Sequence, residues 1–368
     1  MSAREVRVMV TGVGGGSHGE QILKALRLAE TGYHVVGSDL SPYSSGLAKV
    51  DEPCLMPPAS DPEYVDTLLR VCRMREVEVL FHGSEPELKA ISAARDRFAE
   101  AGIFVPINPP EVIDTCLDKV ATMKRLRELG FTVPEFAAVG SVEEAEAFEC
   151  LPAVLKPSVG GGGSANLFLV QTREELAACA GQLLAGFDEF IAQEYVGRPE
   201  DEYTVGVLSD MDGKVINSIA IRRQIMSALS NRIKVRNRSG RDELGPVLAI
   251  SSGVSQGEVV AASEITERCE AIAAALGATG SCNIQCRVVD GEVYPFEINP
   301  RFSGTTSLRA MVGYNEPDVL VRKHLLGEEI EPHFTYRHGV IVRSLEETMI
   351  GEIDFPTAEE LAGGSGVR

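Results

Sequence analysis

Four side chains within one short stretch, Cys282 to Gly304 (CNIQCRVVDGEVYPFEINPRFSG), carry the clearest chemistry in this sequence. They are Gln285, Glu297, Asn299 and Arg301. Two amides and one carboxylate are oxygen donors, which suit a hard cation such as Mg²⁺ better than a soft one. Arg301 follows two residues after Asn299, past Pro300, where a strand must end. The element that positions them is a hairpin. Cys282 to Val289 and Glu292 to Asn299 read as extended segments, with Asp290-Gly291 as the turn. A two-residue Asp-Gly loop pairs 289 with 292 and sends Gln285 and Glu297 to opposite faces. A three-residue loop, Val289-Asp290-Gly291 with Gly291 left-handed, pairs 288 with 292. It sets Asn283 opposite Glu297, with Gln285 and Asn299 on the same face. The expectation is that loop or an equivalent bulge. A hairpin with incidental polar residues is disfavoured, because burying an unpaired Glu or Asn costs about 1–3 kcal/mol each.

On these residues the chain resembles the metal-binding end of the ATP-grasp superfamily, in particular its carbamoyl-phosphate-synthetase-like branch. There a Gln or Glu, then a Glu, then the Asn of an E-[IV]-N-P-R string hold two Mg²⁺ against the ATP phosphates. The matching string here is Glu297-Ile-Asn-Pro-Arg301, with Gln285 upstream. The resemblance implies Gln285, Glu297 and Asn299 as metal ligands, two Mg²⁺ ions (with Mn²⁺ as a substitute) and ATP. Gln at the first position lowers the local negative charge, so one ion is expected to bind less tightly than the other.

Composition bounds the rest. The 368 residues allow a large core in two or three subdomains, and 44% apolar with 24% charged residues is ordinary for an α/β protein. A net charge of −19 argues against nucleic acid as a main partner, since phosphate binding needs a basic surface. The eight cysteines show no paired spacing and read as reduced, mostly buried thiols. No apolar run is long enough to span a membrane, and the N-terminus lacks a signal pattern, so a cytoplasmic protein with no membrane partner is expected.

Along the chain, Val6 to Thr11 is a strand, Gly12 to Gly19 a glycine-rich turn into a helix, and Tyr33 to Gly37 a second strand ending at Asp39. This βαβ unit favours anions at the helix N-terminus. Read alone it suggests a dinucleotide site with Asp39 on the ribose, but the glycines are not spaced as GxGxxG. In the resembling family this place holds a Rossmann-like domain that binds no dinucleotide. Strand Val77 to Phe81 leads into His82-Gly-Ser-Glu-Pro-Glu87. Glu85, at the strand's C-terminal end, is a candidate for a substrate amine, while Ser84 and Glu87 read as a helix cap. Pro106 to Pro110 marks a boundary.

Lys119 then opens a helix, and Pro152-Ala-Val-Leu-Lys156-Pro157 is a strand that delivers an ammonium to the loop Gly160, Gly161, Gly162, Gly163 and Ser164. Glycines let backbone N–H groups approach phosphate oxygens. The resemblance implies that Lys119 and Lys156 reach the phosphates and that this loop closes over them. It implies that Gln193, Glu194, Tyr195 and Val196 form the adenine hinge and that Glu202 lies at the ribose. Arg222 to Arg241 is a basic run in an acidic chain. Arg222 and Arg232 are its candidates for a substrate carboxylate or the transferred phosphoryl, which suit a planar guanidinium.

The expected fold is α/β, of the α+β ATP-grasp kind. A Rossmann-like domain (1–110) precedes a lid subdomain (111–195), a large subdomain with the metal site (196–345) and a C-terminal extension (346–368) whose tail from Leu361 is expected to be disordered. The resemblance implies an ATP-dependent carboxylate–amine ligase working through an acyl phosphate, with Arg301 on the transferring group and on the substrate. Its partners are then a small carboxylate and an amine, and a homodimer is the expected assembly. Bicarbonate or carbamate phosphorylation, an ATP-binding module without turnover and an NAD-dependent oxidoreductase are the alternatives.

Overall fold

Apart from Arg7, the run Val6–Val10 is apolar and buried on both faces, as suits a parallel strand covered on both sides. In the computed structural model, which describes residues 4–160, 166–351 and 353–363, it is an inner strand of a four-stranded sheet. In chain order the elements are β1 (Val6–Val10), α1 (His18–Arg27), β2 (Tyr33–Asp39), β3 (Glu52–Leu55), α2 (Tyr64–Met74), β4 (Val79–Phe81), α3 (Glu85–Ala93) and α4 (Arg95–Glu100). The spatial order is β3-β2-β1-β4, all parallel. The Asp39 carboxylate accepts the amides of Gly14 and Ser41, both at 3.0 Å, so it braces the glycine-rich turn from within.

Helices α5 (Pro110–Leu117) and α6 (Lys119–Glu128) lead into a second, antiparallel sheet. It contains β5 (Phe136–Val139), β6 (Ala153–Pro157), β7 (Phe168–Val170) and β8 (Phe190–Glu194) in the order β5-β8-β6-β7, with α7 (Val142–Glu146) and α8 (Arg173–Leu184) packed on it. The largest sheet follows. Its strands are β9 (Glu202–Ser209), β10 (Val215–Arg223), β13 (Gly257–Val260), β14 (Ser281–Val289), β15 (Glu292–Asn299) and β16 (Gly339–Ile341), ordered β15-β14-β9-β10-β13-β16. A ribbon of β11 (Asn231–Arg236) and β12 (Val247–Ser251) interrupts it. Helices α9 (Ser263–Leu276), α10 (Thr306–Met311) and α11 (Glu316–His324) complete this part.

The hairpin takes the bulge rather than the three-residue loop, and its register differs accordingly. Val289 pairs with Glu292, so the turn is the two-residue Asp290-Gly291 loop. The parity is restored further along by a bulge: Cys286 faces Pro295, but Gln285 faces Glu297, leaving Phe296 as the extra residue. Pro295 has no N–H to lose from the ladder there. Asn283 consequently lies opposite Asn299 rather than Glu297, and Gln285 directly opposite Glu297.

Two ends also differ. A helix over Glu258 to Leu276, the reading its sequence invites, begins only at Ser263, because Gly257–Val260 is a strand paired with β10 on one side and β16 on the other. Leu361 and Ala362 are not in a loose tail. They are buried in α12 (Ala358–Ala362), which packs on α2, and Arg75 donates to the Leu361 carbonyl at 2.8 Å. Residues 364–368 lie outside the described part.

The first and third parts share one core. Val8, Val10 and Phe81 pack in the same cluster as Leu208, Ile219, Phe302 and Tyr314, and Phe81 meets Phe302 edge to face at 5.7 Å. Polar ties reinforce the join: Tyr33 donates to Asp318 at 2.7 Å and Asn315 to the Ala25 carbonyl at 2.8 Å. Among the described residues no helix is long and apolar enough to cross a membrane.

Candidate active site

One cavity of about 950 Å³ runs between the three parts. Its far end is walled by β8 and the residues after it. Gln193, Glu194, Tyr195 and Val196 all line it. Their side chains are engaged: Gln193 donates to the Met123 sulfur, Glu194 pairs with Arg241 at 2.8 Å, and the Tyr195 hydroxyl donates to the Ala249 carbonyl. The Glu194 and Tyr195 amides are taken too, by the carbonyls of Glu135 (2.7 Å) and Pro152 (2.9 Å), which leaves the Val196 amide to a ligand.

Mid-cavity, Lys156 is the penultimate residue of β6. The side chain is buried and Nζ donates to the Phe296 carbonyl, the bulged residue of β15, at 3.0 Å. Burial pushes its pKa down to about 8, against the opposing pull of Glu297. Lys119, first residue of α6, reaches the same space and donates to the Gly160 carbonyl at 3.3 Å. Gly160 lines the cavity, while Gly161, Gly162, Gly163 and Ser164 lie outside the described residues.

The hairpin brings Gln285, Glu297 and Asn299 together. Burial opposes the Glu297 charge, but Lys156, Lys119 and the Asn299 amide outweigh it and hold its pKa below the usual carboxylate range. Gln285 Nε2 and Asn299 Nδ2 both donate to Glu297 Oε1, at 3.2 and 3.0 Å. Their oxygens accept from Arg223 (3.1 Å) and Arg301 (2.7 Å). No group of three or more His, Cys, Asp or Glu suited to a metal occurs among the described residues, so a cation here would rely on the amides. The set fits one. Turning each amide about its last bond exchanges N and O and places two amide oxygens beside the carboxylate. Arg223 would keep Glu202, Ser251 and the Ser252 carbonyl, and Arg301 would keep Glu85 and the Phe302 carbonyl.

At the near end Arg301 pairs with Glu85 at 2.7 Å across the domain join. Glu85 opens α3 after the cap Ser84, whose Oγ accepts the Glu87 amide as expected. Glu87 is half-buried, and its carboxylate accepts from Gly83 N and Ser84 Oγ. Burial holds two imidazoles neutral beside Arg301: His82, pushed down to about 3, and His18, whose pKa also falls well below the ordinary value. His18 lines the cavity from the first turn of α1.

The structure does not bring two expected residues to the cavity. Arg222 is half exposed and pairs with Glu258 at 2.6 Å on the other face of β10, and Arg232 is exposed on β11. Successive strand residues point to opposite faces, so the arginine that enters is Arg223, buried in the wall. Glu202 lines the cavity, but both its oxygens are held, by Arg223 at 3.0 Å and Arg287 at 3.2 Å. Arg223 stood in the basic run but was not singled out, and Arg287 and His18 escaped the sequence reading. Arg287 was visible as a charge inside an apolar strand, and His18 as the one ring in a loop of small residues.

Residues 116–305, just over half the chain, match the family described as ATP-grasp domain, and residues 9–106 match the PylC-like N-terminal domain. The carbamoyl phosphate synthase large chain of Thermoplasma volcanium is 24% identical over 291 residues, covering 76% of this chain and 26% of that protein. The large chain from Vibrio cholerae is 25% identical over 352 residues, covering 92% and 30%. This chain thus spans between a quarter and a third of those relatives. Among solved structures, the L-amino acid ligase from Bacillus licheniformis aligns with a TM-score of 0.61 at 18% identity, over 89% of this chain and 77% of that one, which speaks to the fold. An ordered set of lysines, the Gln193–Val196 wall and Glu297-Ile-Asn-Pro-Arg301 around one cavity, with the family match across it, places the chain in the ATP-grasp domain family, similar to carbamoyl phosphate synthase large chains.

Proposed function

We propose that the chain is an ATP-dependent carboxylate–amine ligase acting through an acyl phosphate. The observation that supports this is the single cavity that joins the Gln193–Val196 wall, both lysines, the Glu297 cluster and the Arg301–Glu85 pair. Its volume lies at the upper end of the range for small-molecule pockets, roughly 300–1,000 Å³, which suits a nucleotide with a second ligand. In this reading the backbone of Glu194 to Val196 takes adenine. Lys119, Lys156 and the Gly160 loop take the phosphates. Gln285, Glu297 and Asn299 hold Mg²⁺, with Gln285 leaving one of two sites weaker. Bound there, Mg²⁺ would supply neutralisation of phosphate charge.

A substrate carboxylate oxygen attacks the γ-phosphorus, the bond to ADP breaks, and an acyl phosphate forms. Lys156 and Arg301 balance the negative charge on the group in transit. An uncharged amine then attacks the acyl carbon, the carbon–oxygen bond to phosphate breaks, and the amide forms with loss of a proton. Glu85 faces this end and is the residue we assign to the amine. Positioning and electrostatics supply the catalysis.

The test is release of ADP and phosphate from Mg²⁺-ATP against a panel of amino acids and small carboxylates, with and without amines. Release that needs both partners, with a product mass equal to their condensation, is expected. Phosphate release with bicarbonate alone, and no condensed product with any amine, would overturn the reading.

A further inference from the structure

The wall between the two ends of the cavity is a chain of buried charges. Arg287 Nη1 donates to the carbonyls of Val196 (3.0 Å) and Gly197 (3.2 Å), and its guanidinium lies over the Tyr195 ring at 4.2 Å. Its Nη2 donates to Glu202 Oε2 at 3.2 Å. The other Glu202 oxygen accepts from Arg223 Nη1, which also donates to Gln285 Oε1. All three charged residues are buried: Glu202 is 2% exposed, Arg223 3% and Arg287 6%. The path thus runs from the Val196–Gly197 backbone through Arg287, Glu202 and Arg223 to Gln285, with two hydrogen bonds at the first step and one at each step after it.

Two features mark this as more than packing. Two cations share one anion, so the knot carries an unbalanced positive charge in low dielectric, where stray charge is costly. Arg223 Nε is also buried without a partner. Each joint is planar and charge-assisted, so moving one guanidinium tilts the next carboxylate or amide rather than letting it slip.

We propose that Arg223 is a positioning residue, coupled through Glu202 and Arg287 to the Val196–Gly197 segment, so that filling the adenine end draws Arg223 off the Gln285 oxygen, lets that amide turn its oxygen toward the cation beside Glu297 and raises the affinity for the cation. This rests on the nucleotide reading of the cavity. In it Glu202 serves the coupling, in place of the ribose contact that the resemblance implies. The inward face of β10 belongs to this path and the outward face, with Arg222, does not.

Adenosine and Mn²⁺ are the probes, because adenosine fills the adenine end and has no phosphates to chelate the ion. Mn²⁺ binding to the full chain is read by electron paramagnetic resonance, with and without saturating adenosine, and adenosine binding by calorimetry. Wild type is expected to bind Mn²⁺ at least about fivefold tighter with adenosine present, and adenosine tighter by the same factor with Mn²⁺. Glu202→Gln, nearly isosteric, should bind both probes with a factor near one. Arg223→Lys should behave likewise, and Arg222→Ala should keep the full factor. Adenosine that binds without changing Mn²⁺ affinity in wild type overturns the coupling, as does full coupling in folded Glu202→Gln or Arg223→Lys. Adenosine that fails to bind wild type at all overturns the nucleotide reading itself, and the coupling with it.

Discussion

At the scale of single residues, the proposed chemistry concentrates on one carboxylate and one ammonium. Glu297 is the only carboxylate among the three proposed ligands, and nothing else in the hairpin replaces its charge. Glu297→Ala is expected to lower turnover at least about a thousandfold, with circular dichroism and melting temperature near wild type. Near-normal turnover would remove Glu297 from the metal site. Lys156 gives a pH signature. Its pKa is pushed down to about 8 from an ordinary 10.5, so its charge is lost as pH rises through about 8. The apparent KM for ATP should then climb about tenfold per pH unit above that value. Lys156→Arg keeps its charge throughout and should flatten the profile between pH 8 and 9.5. The sign for folding follows from the same shift. The folded chain releases this proton before the unfolded one, so the buried ammonium costs stability below about pH 8, and that cost fades as pH rises toward 10.5.

At the scale of elements, strand alternation decides what the residue types leave open. The shared face of Gln285 and Glu297 was legible from parity, but its cause was not. The turn chemistry of Asp290-Gly291 is satisfied as a two-residue loop, and the compensating bulge sits at Pro295-Phe296, where the sequence carries only a weak signal. Lys156 was legible because a strand ending in lysine before glycines has few other uses. Arg223 was not, because choosing it over Arg222 needs the register of β10 against β9 and β13, which is a long-range fact. Glu202 was seen, but its two arginine partners come from other strands. Close approach across β9 gives a further test. A Cβ on Gly206 would fall 2.3 Å from Nη1 of Arg309, which is fully buried and paired with Glu316 at 3.1 Å. Gly206→Ala is expected to destabilise the chain by about 1–3 kcal/mol in urea denaturation. Gly181→Ala makes the contrast. It lies inside α8 with open space around its Cβ direction, so it should stabilise by about 0.5–1 kcal/mol.

At the scale of the whole molecule, the first domain is a wall of the site rather than an appendage. It contributes His18 and Glu85 to the cavity, and Glu85 grips Arg301 from across the join. That grip depends on the shared core beneath it. Phe302 is 1% exposed, packs edge to face on Phe81 of β4, and its carbonyl accepts from Arg301 Nη1 at 3.1 Å. One residue thus serves both: its ring packs the two domains together and its backbone carbonyl holds the guanidinium. Phe302→Ala removes a buried ring where two sheets and α10 meet and is expected to cost about 3–5 kcal/mol. Because the core is continuous, the cost should appear as one cooperative calorimetric transition moved to lower temperature. A separable first domain would instead show a second, unshifted transition. Below the new midpoint, the KM for the amine should rise more than the KM for ATP. Arg301 and Glu85 lose their support, whereas Lys156 and the Gln193–Val196 wall stand on β6 and β8, whose core is separate. Equal increases in both constants would mean that the join positions the entire cavity rather than its near end.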